Sequence, residues 1–325
     1  MLKTLCRLCL ITLLLSSSVF SAESHEKTRR LEYAPLGALI TDVGDFDRQG
    51  KKFDATIWLW TLSDPQAANP IEELRFTNAI EIKESLLQKE TTDRGLWTRL
   101  KIRGSFRHQW DMSDFPFDAQ TLDIQIEATE RDYSKLRFID DGVTWIVDSN
   151  LAIPAWTIEG ASLHAGKISR SSSFGDPRIP KNTEVSFAAA DVSITLKRTT
   201  YATFWKLTIA AFVAAGLAIP AFFVVLDAQT RLGLLTASVF ADVLSMQSAS
   251  SDLGAVEYVT LVDQIHILVL AYTFIATIYV LYTHAHHVKH GHFKEMKRTG
   301  YEVGLITTLV LFASIGFLVW RLWST

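Results

Sequence analysis

Four apolar segments in the second half of the chain limit what it can fold into more than any other feature. They lie at residues 203–226, 230–250, 261–284 and 301–323. Each has roughly the 20 residues that a helix needs to cross about 30 Å of hydrocarbon. Inside a bilayer an isolated strand or loop would leave backbone groups without hydrogen bonds, so such segments fold as helices. We predict that residues 201–325 form a transmembrane domain, a four-helix bundle.

The charges of the connecting loops predict how these helices are oriented. The loop at 248–260 contains no lysine or arginine, whereas residues 284–300 contain three lysines and one arginine. Positively charged loops stay on the cytoplasmic side of a membrane. The segment that precedes the first span is therefore expected outside the cytoplasm.

The N-terminal segment, residues 1–22, has the features of a secretory signal peptide. Two basic residues precede an apolar run at 8–20, and the small residues Ser21 and Ala22 offer alternative cleavage points. The apolar run is too short to span a bilayer comfortably. Both cysteines of the chain lie in this segment, so the mature protein is expected to have no thiol and no disulfide.

Residues 23–200 have the pattern of a β domain. Short runs rich in apolar and alternating residues recur, for example at 53–62, 97–107, 121–128 and 185–196, and turn residues separate them. Strands at such spacing are typical of a sandwich. We expect an extracellular antiparallel β-sandwich of the immunoglobulin-like kind.

Composition and motifs disfavour several classes of function. The formal net charge of −3 is too small to indicate nucleic acid as a partner. The β domain has no glycine-rich phosphate loop, no set of His, Asp and Ser residues and no metal-ligand spacing above background. We expect neither an enzyme nor a bound cofactor.

The second apolar segment carries more polar residues than a helix surrounded by lipid would tolerate. Residues spaced alternately four and three apart share one helical face, which is small at one end, bulky in the middle and polar at the other. Such a face suits a water-filled pore with a hydrophobic constriction. A packed helix whose small residues let neighbours approach is the alternative. The stripe consists of Gly233, Ala237, Phe240, Leu244, Gln247 and Ser251.

A cluster of histidines follows the third span, at residues 284–292. His286 and His290 share a helical face at a spacing that could bind a metal. A solvated segment at the membrane surface needs fewer assumptions, and we assign no metal to it.

Four sequence motifs occur in the order expected of one known family. Residues 115–120 read FPFDAQ, residues 127–138 read EATERDYSKLRF, Arg198 precedes the first span, and residues 258–264 read YVTLVDQ where the third span begins. With the β domain and the four spans, they make the chain similar to the pentameric ligand-gated ion channels, the Cys-loop receptor superfamily. The resemblance covers nearly all of the mature chain and is to the bacterial branch, which lacks the Cys-loop disulfide.

The resemblance implies a homopentamer, in which each chain has four identical subunits as partners. The five subunits would surround a central pore, and the second span of each would line it. A small-molecule agonist or a proton would open this pore to ions. The family also implies a multi-pass protein of the bacterial inner membrane, with its N-terminal domain in the periplasm. A membrane-anchored periplasmic binding or sensor protein without a pore is the alternative, although it does not explain the graded stripe.

For coupling between the two domains, the resemblance assigns a charged cluster. It joins Arg198 to Asp118 and to an acid of the first hairpin, Asp45 or Asp47. One guanidinium can hold two carboxylates, and a partly buried trio is costly to break. Such a cluster could transmit motion of the ligand-binding domain to the spans.

For the agonist, the resemblance assigns a pocket of aromatic residues between neighbouring subunits. An aromatic box favours cationic amines through cation–π attraction, although each ring could instead belong to a core. Residues 128–130 lack the aromatic side chain that an amine-gated relative has nearby, so the kind of agonist stays open. Residues 167–181, rich in Ser, Gly and Pro, are the expected capping loop. The assigned residues are Trp58, Phe76, Tyr133 and Phe174.

Ion selectivity is assigned to the residues at the start of the second span. Cation-selective relatives have a glutamate ring there, but this chain has Gln229 and Thr230, with Asp227 just before them. The run that begins at Arg231 resembles the anion-selective members instead. Because an acidic ring at Asp227 attracts cations, we expect cation selectivity, with anion selectivity as the alternative.

Asp242 lies in the second span, roughly 200° around the helix from Phe240. Its carboxylate therefore points away from the stripe, toward the first or third span. A buried carboxylate is costly there unless it is paired or protonated. By similarity to a histidine at the matching position of a proton-gated relative, we expect Asp242 to sense pH; a static hydrogen bond is the alternative.

Overall fold

The protein is described from a computed structural model. The described residues are 31–172, 175, 177, 179–180, 183–199, 201–224, 227–253, 259–288 and 293–323. The predicted signal peptide at 1–22 lies outside them. Within them, a region rich in β-sheet precedes a bundle of helices.

The β-rich region consists of two sheets. Its strands are β1 (Glu32–Asp47), β2 (Lys52–Ser63), β3 (Leu74–Phe76), β4 (Ala79–Thr92), β5 (Gly95–Arg107), β6 (Ala119–Asp132), β7 (Leu136–Asp140), β8 (Trp156–Arg170) and β9 (Val185–Arg198). The larger sheet has the order β4-β5-β2-β1-β7, and the smaller has the order β3-β6-β9-β8.

The core lies between the two sheets, as the alternating pattern predicts. Ile57 and Leu59 of β2 point inward from the larger sheet, and Leu122 and Ile124 of β6 point inward from the smaller one. Successive side chains of a strand face opposite sides, so every second residue enters the same apolar core. The expected sandwich is confirmed.

One edge of the larger sheet differs from the expectation of antiparallel strands. β7 runs parallel to β1, with Glu32 opposite Leu136 and Leu36 opposite Asp140. A tight turn at 133–135 takes the chain from β6 in the smaller sheet to β7 in the larger one. Because β7 arrives from the opposite sheet rather than from a hairpin with β1, its direction is not forced to reverse. The antiparallel expectation does not hold at this edge.

The C-terminal region is helical. Its helices are α1 (Tyr201–Ala218), α2 (Pro220–Phe223), α3 (Ala228–Leu253), α4 (Leu261–Thr283) and α5 (Phe293–Trp323). Four stretches are long and apolar enough to cross a membrane, at Tyr201–Phe223, Ala228–Ala249, Leu261–His286 and Lys297–Arg321. The expectation of four apolar helices is confirmed, and by length and composition the chain is a membrane protein.

Small residues let these helices approach one another closely. Ala211, Ala214, Ala215 and Ala218 of α1 are all buried. The hydroxyl of Ser238 in α3 donates a hydrogen bond to the carbonyl of Ala214, over 2.7 Å. Close backbones with hydrogen bonds between helices replace the hydrophobic effect as the source of association within a bilayer.

The sandwich meets the helices through the loop at 108–118. The ring of Phe117 packs against those of Tyr201 and Phe204, with centroids 5.8 and 5.4 Å apart. The amide of Leu261 donates to the carbonyl of Ser113 over 3.1 Å. The loop at 108–118 thus contacts α1 through Phe117 of the FPFDAQ motif and α4 through Ser113.

A capping box fixes where α4 begins. The Thr260 hydroxyl accepts from the amide of Asp263 over 3.2 Å, and the Asp263 carboxylate accepts from the amide of Thr260 over 3.0 Å. These two bonds satisfy amides that the first helical turn would leave unpaired. The YVTLVDQ motif thus contains the helix start that touches the loop.

Candidate functional site

A two-pronged ion pair joins the last strand of the sandwich to the loop at 108–118. Nε of Arg198 lies 2.7 Å from Oδ1 of Asp118, and its Nη2 lies 3.2 Å from Oδ2. The Asp118 side chain is 2% exposed and that of Arg198 is 10% exposed. A bidentate pair of this kind is both strong and geometrically specific. The structure therefore brings together two of the residues assigned to coupling.

Neighbouring side chains complete the surroundings of this pair. The guanidinium of Arg198 lies over the rings of Trp156, at 4.1 Å, and Phe115, at 5.2 Å. The amide of Gln120 donates to Oδ2 of Asp118 over 2.9 Å. Sequence reasoning missed Trp156, because only the register of β8 against β9 puts it opposite Arg198.

The acids of the first hairpin do not join the pair. Oδ1 of Asp47 accepts the amide of Gly50 within the hairpin turn, over 2.7 Å. In the described part of the chain, neither Asp45 nor Asp47 forms an ion pair with Arg198. The hairpin reaches the pair through an aromatic contact instead, since Phe46 packs on Trp156 with centroids 5.6 Å apart.

The stripe predicted on the second span is the face of α3 that the rest of the chain leaves uncovered. Gly233, Ala237 and Gln247 are exposed, and Phe240 and Leu244 are 65% and 63% exposed. Ser251 belongs to the same helix, but its side chain lies outside the described part. The opposite face is buried by α1 and α4, and it consists of Arg231, Leu235, Ser238, Asp242 and Ala249.

The residues assigned to selectivity divide between these two faces. Asp227, Gln229 and Thr230 are exposed. The hydroxyl of Thr230 donates to Asp227 over 2.6 Å and its amide does so over 2.9 Å, and these bonds lower the pKa of the Asp227 carboxyl. Asp227 is therefore an anion at neutral pH, at the N-terminal end of α3.

Arg231 turns in the opposite direction from Asp227. Its side chain is buried, its Nε donates to the carbonyl of Ala221 over 2.9 Å, and its guanidinium lies 5.3 Å from the ring of Tyr279. The positive charge of Arg231 therefore lies inside the helix bundle. The negative charge of Asp227 stays on the surface.

Asp242 forms a buried pair with a histidine of α4. Oδ1 of Asp242 lies 2.6 Å from Nδ1 of His266, and both side chains are at most 1% exposed. Nε2 of His266 lies 3.3 Å from the carbonyl of Leu207 in α1. Oxygen atoms of α3 and α1 therefore face both ring nitrogens of His266.

The pair also has an unused acceptor. Oδ2 of Asp242 is buried and has no hydrogen-bond partner among the described residues. A buried acceptor without a partner costs free energy, and a bound water molecule would remove that cost. Sequence reasoning missed His266, although a histidine within an apolar span is itself a signal of a polar partner.

The residues assigned to the agonist pocket lie in different places in a single chain. Trp58 is half-buried on the outer face of the larger sheet, Tyr133 is half-buried at the turn between β6 and β7, and Phe174 lies outside the described residues. Phe76 packs toward the core, with its ring 6.2 Å from that of Phe106. Among the described residues, a single chain therefore brings no two of the assigned rings into contact.

The base of the predicted capping loop is tied to the smaller sheet. Arg170, the last residue of β8, forms a two-pronged pair with Glu127 of β6, in which Nε lies 3.1 Å from Oε1. The Glu127 side chain is buried, and this pair raises the pKa of Arg170. His286 of the histidine cluster is exposed, whereas His290 lies outside the described residues.

A scan against protein-family models found no match to this chain, and a search of curated proteins found none either.

Proposed function

We propose that the chain is the subunit of a ligand-gated ion channel. Five identical subunits would surround a pore that α3 lines, in the inner membrane of a bacterium and with the sandwich in the periplasm. An agonist or a proton would open this pore. The number of subunits rests on the resemblance of the motifs, and the pore rests on α3 itself.

The uncovered face of α3 is the observation that supports a pore best. The exposed large side chains of α5 are apolar over the same depth, for example at Leu305, Leu309 and Phe312, which is typical of a surface against lipid. The uncovered face of α3 instead includes Thr236 and Gln247 beside its apolar residues, and the small residues Gly233 and Ala237 lie toward its N-terminal end. A polar amide against lipid is costly, so water is the better neighbour for this face.

The same face supplies a gate. Phe240 and Leu244 are one helical turn apart and have the largest exposed apolar side chains of the stripe. Rings of apolar side chains close a narrow pore by excluding water. We assign the gate to these two residues and the outer mouth to Gln247.

The orientation of charges at the other end favours cations. Asp227 is exposed and ionised, and Arg231 is buried against Ala221 and Tyr279. A ring of carboxylates concentrates cations at the entrance of a pore. Anion selectivity would require a positive ring that Arg231, in this conformation, does not supply.

The pair of Arg198 and Asp118 suits the role of coupling. It joins the end of β9 to the loop that touches α1 and α4, and both of its members are largely buried. Movement of either sheet at this point would therefore move the helices rather than be absorbed by solvent-exposed side chains.

Recording from the purified full-length protein in planar bilayers tests the proposal. We expect discrete currents whose reversal potential, in a KCl gradient, follows potassium. Phe240→Ala should increase the open probability without agonist, because it removes a large part of the apolar constriction. Phe312→Ala, at an exposed position of α5, is the matched control and should leave the currents unchanged. Binding of ligands with no current in any condition would instead support a sensor protein.

A further inference from the structure

A buried arginine of β6 contacts three other parts of the sandwich. Nη1 of Arg131 donates to Oε2 of Glu32, at the start of β1, over 2.5 Å, and its Nη2 donates to the carbonyl of Ala68 over 3.1 Å. Its Nε lies 2.6 Å from Oε1 of Glu73, the last residue of a short 3₁₀ helix, Pro70–Glu73. Arg131 and Glu73 are only 6% and 3% exposed. The arginine therefore faces two carboxylates from different elements, and that of Glu73 is the more deeply buried.

The two carboxylates do not share the arginine equally. Glu32 accepts a hydrogen bond, whereas the contact between Nε and Glu73 does not have the geometry of one. Neither oxygen of the Glu73 carboxylate has a hydrogen-bond partner among the described residues. A buried carboxylate needs hydrogen bonds as well as an opposite charge to offset the loss of its hydration. The charge of Glu73 is thus compensated only by a guanidinium that already serves Glu32.

Excess negative charge surrounds Glu73. Its strongest charged neighbours are one cation and two anions, namely Arg131 and Glu130 of β6 and Glu32 of β1. Burial raises the pKa of the Glu73 carboxyl, and Arg131 lowers it. The two neighbouring glutamates raise it further, so that the pKa lies above its ordinary value. β2 and β5 also pack against the 3₁₀ helix, and the residues at their ends that enter the core are uncharged: Thr61, Ser63, Thr98 and Leu100.

Another buried acid of β6 shows that burial alone does not make this site. The side chain of Glu127 is 6% exposed and that of Glu73 is 4% exposed. Both oxygens of Glu127 accept from Arg170, which serves no second carboxylate among the ion pairs of the described residues. Hydrogen bonds to the charged form of an acid favour that form. Glu127 has such bonds, whereas Glu73 lacks them.

We propose that Glu73 is a proton-binding site, at which a proton removes the excess negative charge beside Arg131. In the protonated state Arg131 serves Glu32 alone, so the 3₁₀ helix loses its ionic contact with β6. The same helix supplies Ile71 to the wall of a cavity of about 540 Å³ between the sheets. The site needs neither a pore nor a second subunit, and it is therefore independent of the proposed function.

Thermal melts of the purified full-length protein at several pH values test this site through Glu73→Gln, which copies the shape of the protonated acid. A raised pKa in the folded state means that the folded protein binds the proton more tightly than the unfolded chain does. The resulting stabilisation is complete below about pH 4.3, the ordinary pKa of Glu, and is lost as the pH rises through the folded pKa. Glu73→Gln should therefore have a higher Tm than the parent at about pH 8, and this difference should shrink toward about pH 4.5.

Two further variants separate proton binding from a structural role. Glu72→Gln is the matched control, because Glu72 belongs to the same helix but is half-exposed and pairs with Lys89. It should leave the pH dependence of the Tm as in the parent. Glu32→Gln removes the competing carboxylate, so Arg131 then serves Glu73 alone. In that background the gain in Tm from Glu73→Gln at about pH 8 should be smaller.

Infrared spectra detect the proton directly, because the C=O stretch of a protonated carboxyl group is separate from the bands of a carboxylate. In a pH titration, we expect a protonated carboxyl band that persists to higher pH in the parent and in Glu72→Gln than in Glu73→Gln.

Each outcome decides for or against the proton. The site is overturned by a Tm difference between Glu73→Gln and the parent that is the same at every pH, or by an infrared band that the substitution leaves unchanged. A lower Tm of Glu73→Gln at about pH 8 also overturns it, because Glu73 would then be a stabilising anion with bound water molecules as its hydrogen-bond donors. These results leave the pore untouched, and a protein that carries no current leaves the proton site untouched.

Discussion

Replacing Arg198 by leucine is expected to destabilise the protein and to abolish opening of the pore. The substitution leaves the carboxylate of Asp118, which is 2% exposed, with the amide of Gln120 as its remaining side-chain donor. Leucine retains apolar contact with the ring of Trp156, so the main loss is the charge and its hydrogen bonds.

The size of the effect follows from the burial of the pair. Removing one partner of a buried ion pair costs about 3–5 kcal/mol, because the other charge is left unpaired. For a domain of this size, that loss corresponds to a decrease of roughly 6–20 °C in Tm. Thermal unfolding of the full-length protein, followed by tryptophan fluorescence, measures it.

A neighbouring ion pair provides the control. Lys197 is the residue before Arg198, and its ammonium lies 3.7 Å from Glu159, with both side chains exposed. Exposed pairs contribute at most about 1 kcal/mol and often much less. Lys197→Leu should therefore leave both the Tm and the currents close to those of the parent.

The double variant distinguishes a buried charge from a mere loss of packing. Adding Asp118→Leu to Arg198→Leu removes the unpaired carboxylate, so the double variant should be more stable than Arg198→Leu alone. The reasoning is refuted if Arg198→Leu behaves like Lys197→Leu, or if the second substitution only adds a further loss. Normal agonist-evoked currents from Arg198→Leu would remove its role in coupling.

Three other substitutions test the remaining assignments. Asp242→Asn removes the acid beside His266, and we expect the pH dependence of the currents to shift to lower pH or disappear; an unchanged profile in the same recordings contradicts a role in pH sensing. Burial lowers the pKa of His108, so the folded state binds fewer protons there than the unfolded chain and loses stability as pH falls through about 6.5. His108→Gln should therefore make the Tm less dependent on pH between about pH 7 and pH 5, and an equally steep dependence in thermal melts counts against this effect. Asp227→Asn should shift the reversal potential in a KCl gradient toward that of chloride. An unchanged reversal potential would show that Asp227 does not determine the selectivity.

The local periodicity of the sequence was sufficient to predict the helices and strands of the fold. Apolar runs of span length became α1, α3, α4 and α5, and alternation of apolar and polar residues became the strands of the sandwich. These patterns depend on neighbours only a few residues apart. The same rule identified the face of α3 that carries Phe240 and Leu244, because residues three and four apart on a helix share a side whatever surrounds it.

The partners of the polar residues could not be predicted from local periodicity. Arg198 and Asp118 are 80 residues apart, and the resemblance to a family, rather than spacing, joined them. His266 beside Asp242 and Trp156 over Arg198 depend on how helices and strands pack. No local pattern encodes such contacts.

Tertiary structure also decided the direction in which charges point. Arg231 turns into the bundle because the carbonyl of Ala221 accepts its hydrogen bonds there, while Asp227, four residues earlier, stays at the surface. Arg99 lies over the ring of Trp58 because the register of β5 against β2 brings the two residues together. Periodicity thus decides which side of a helix or strand a residue occupies, but the charge that a ligand or an ion meets depends on which distant groups have already paired.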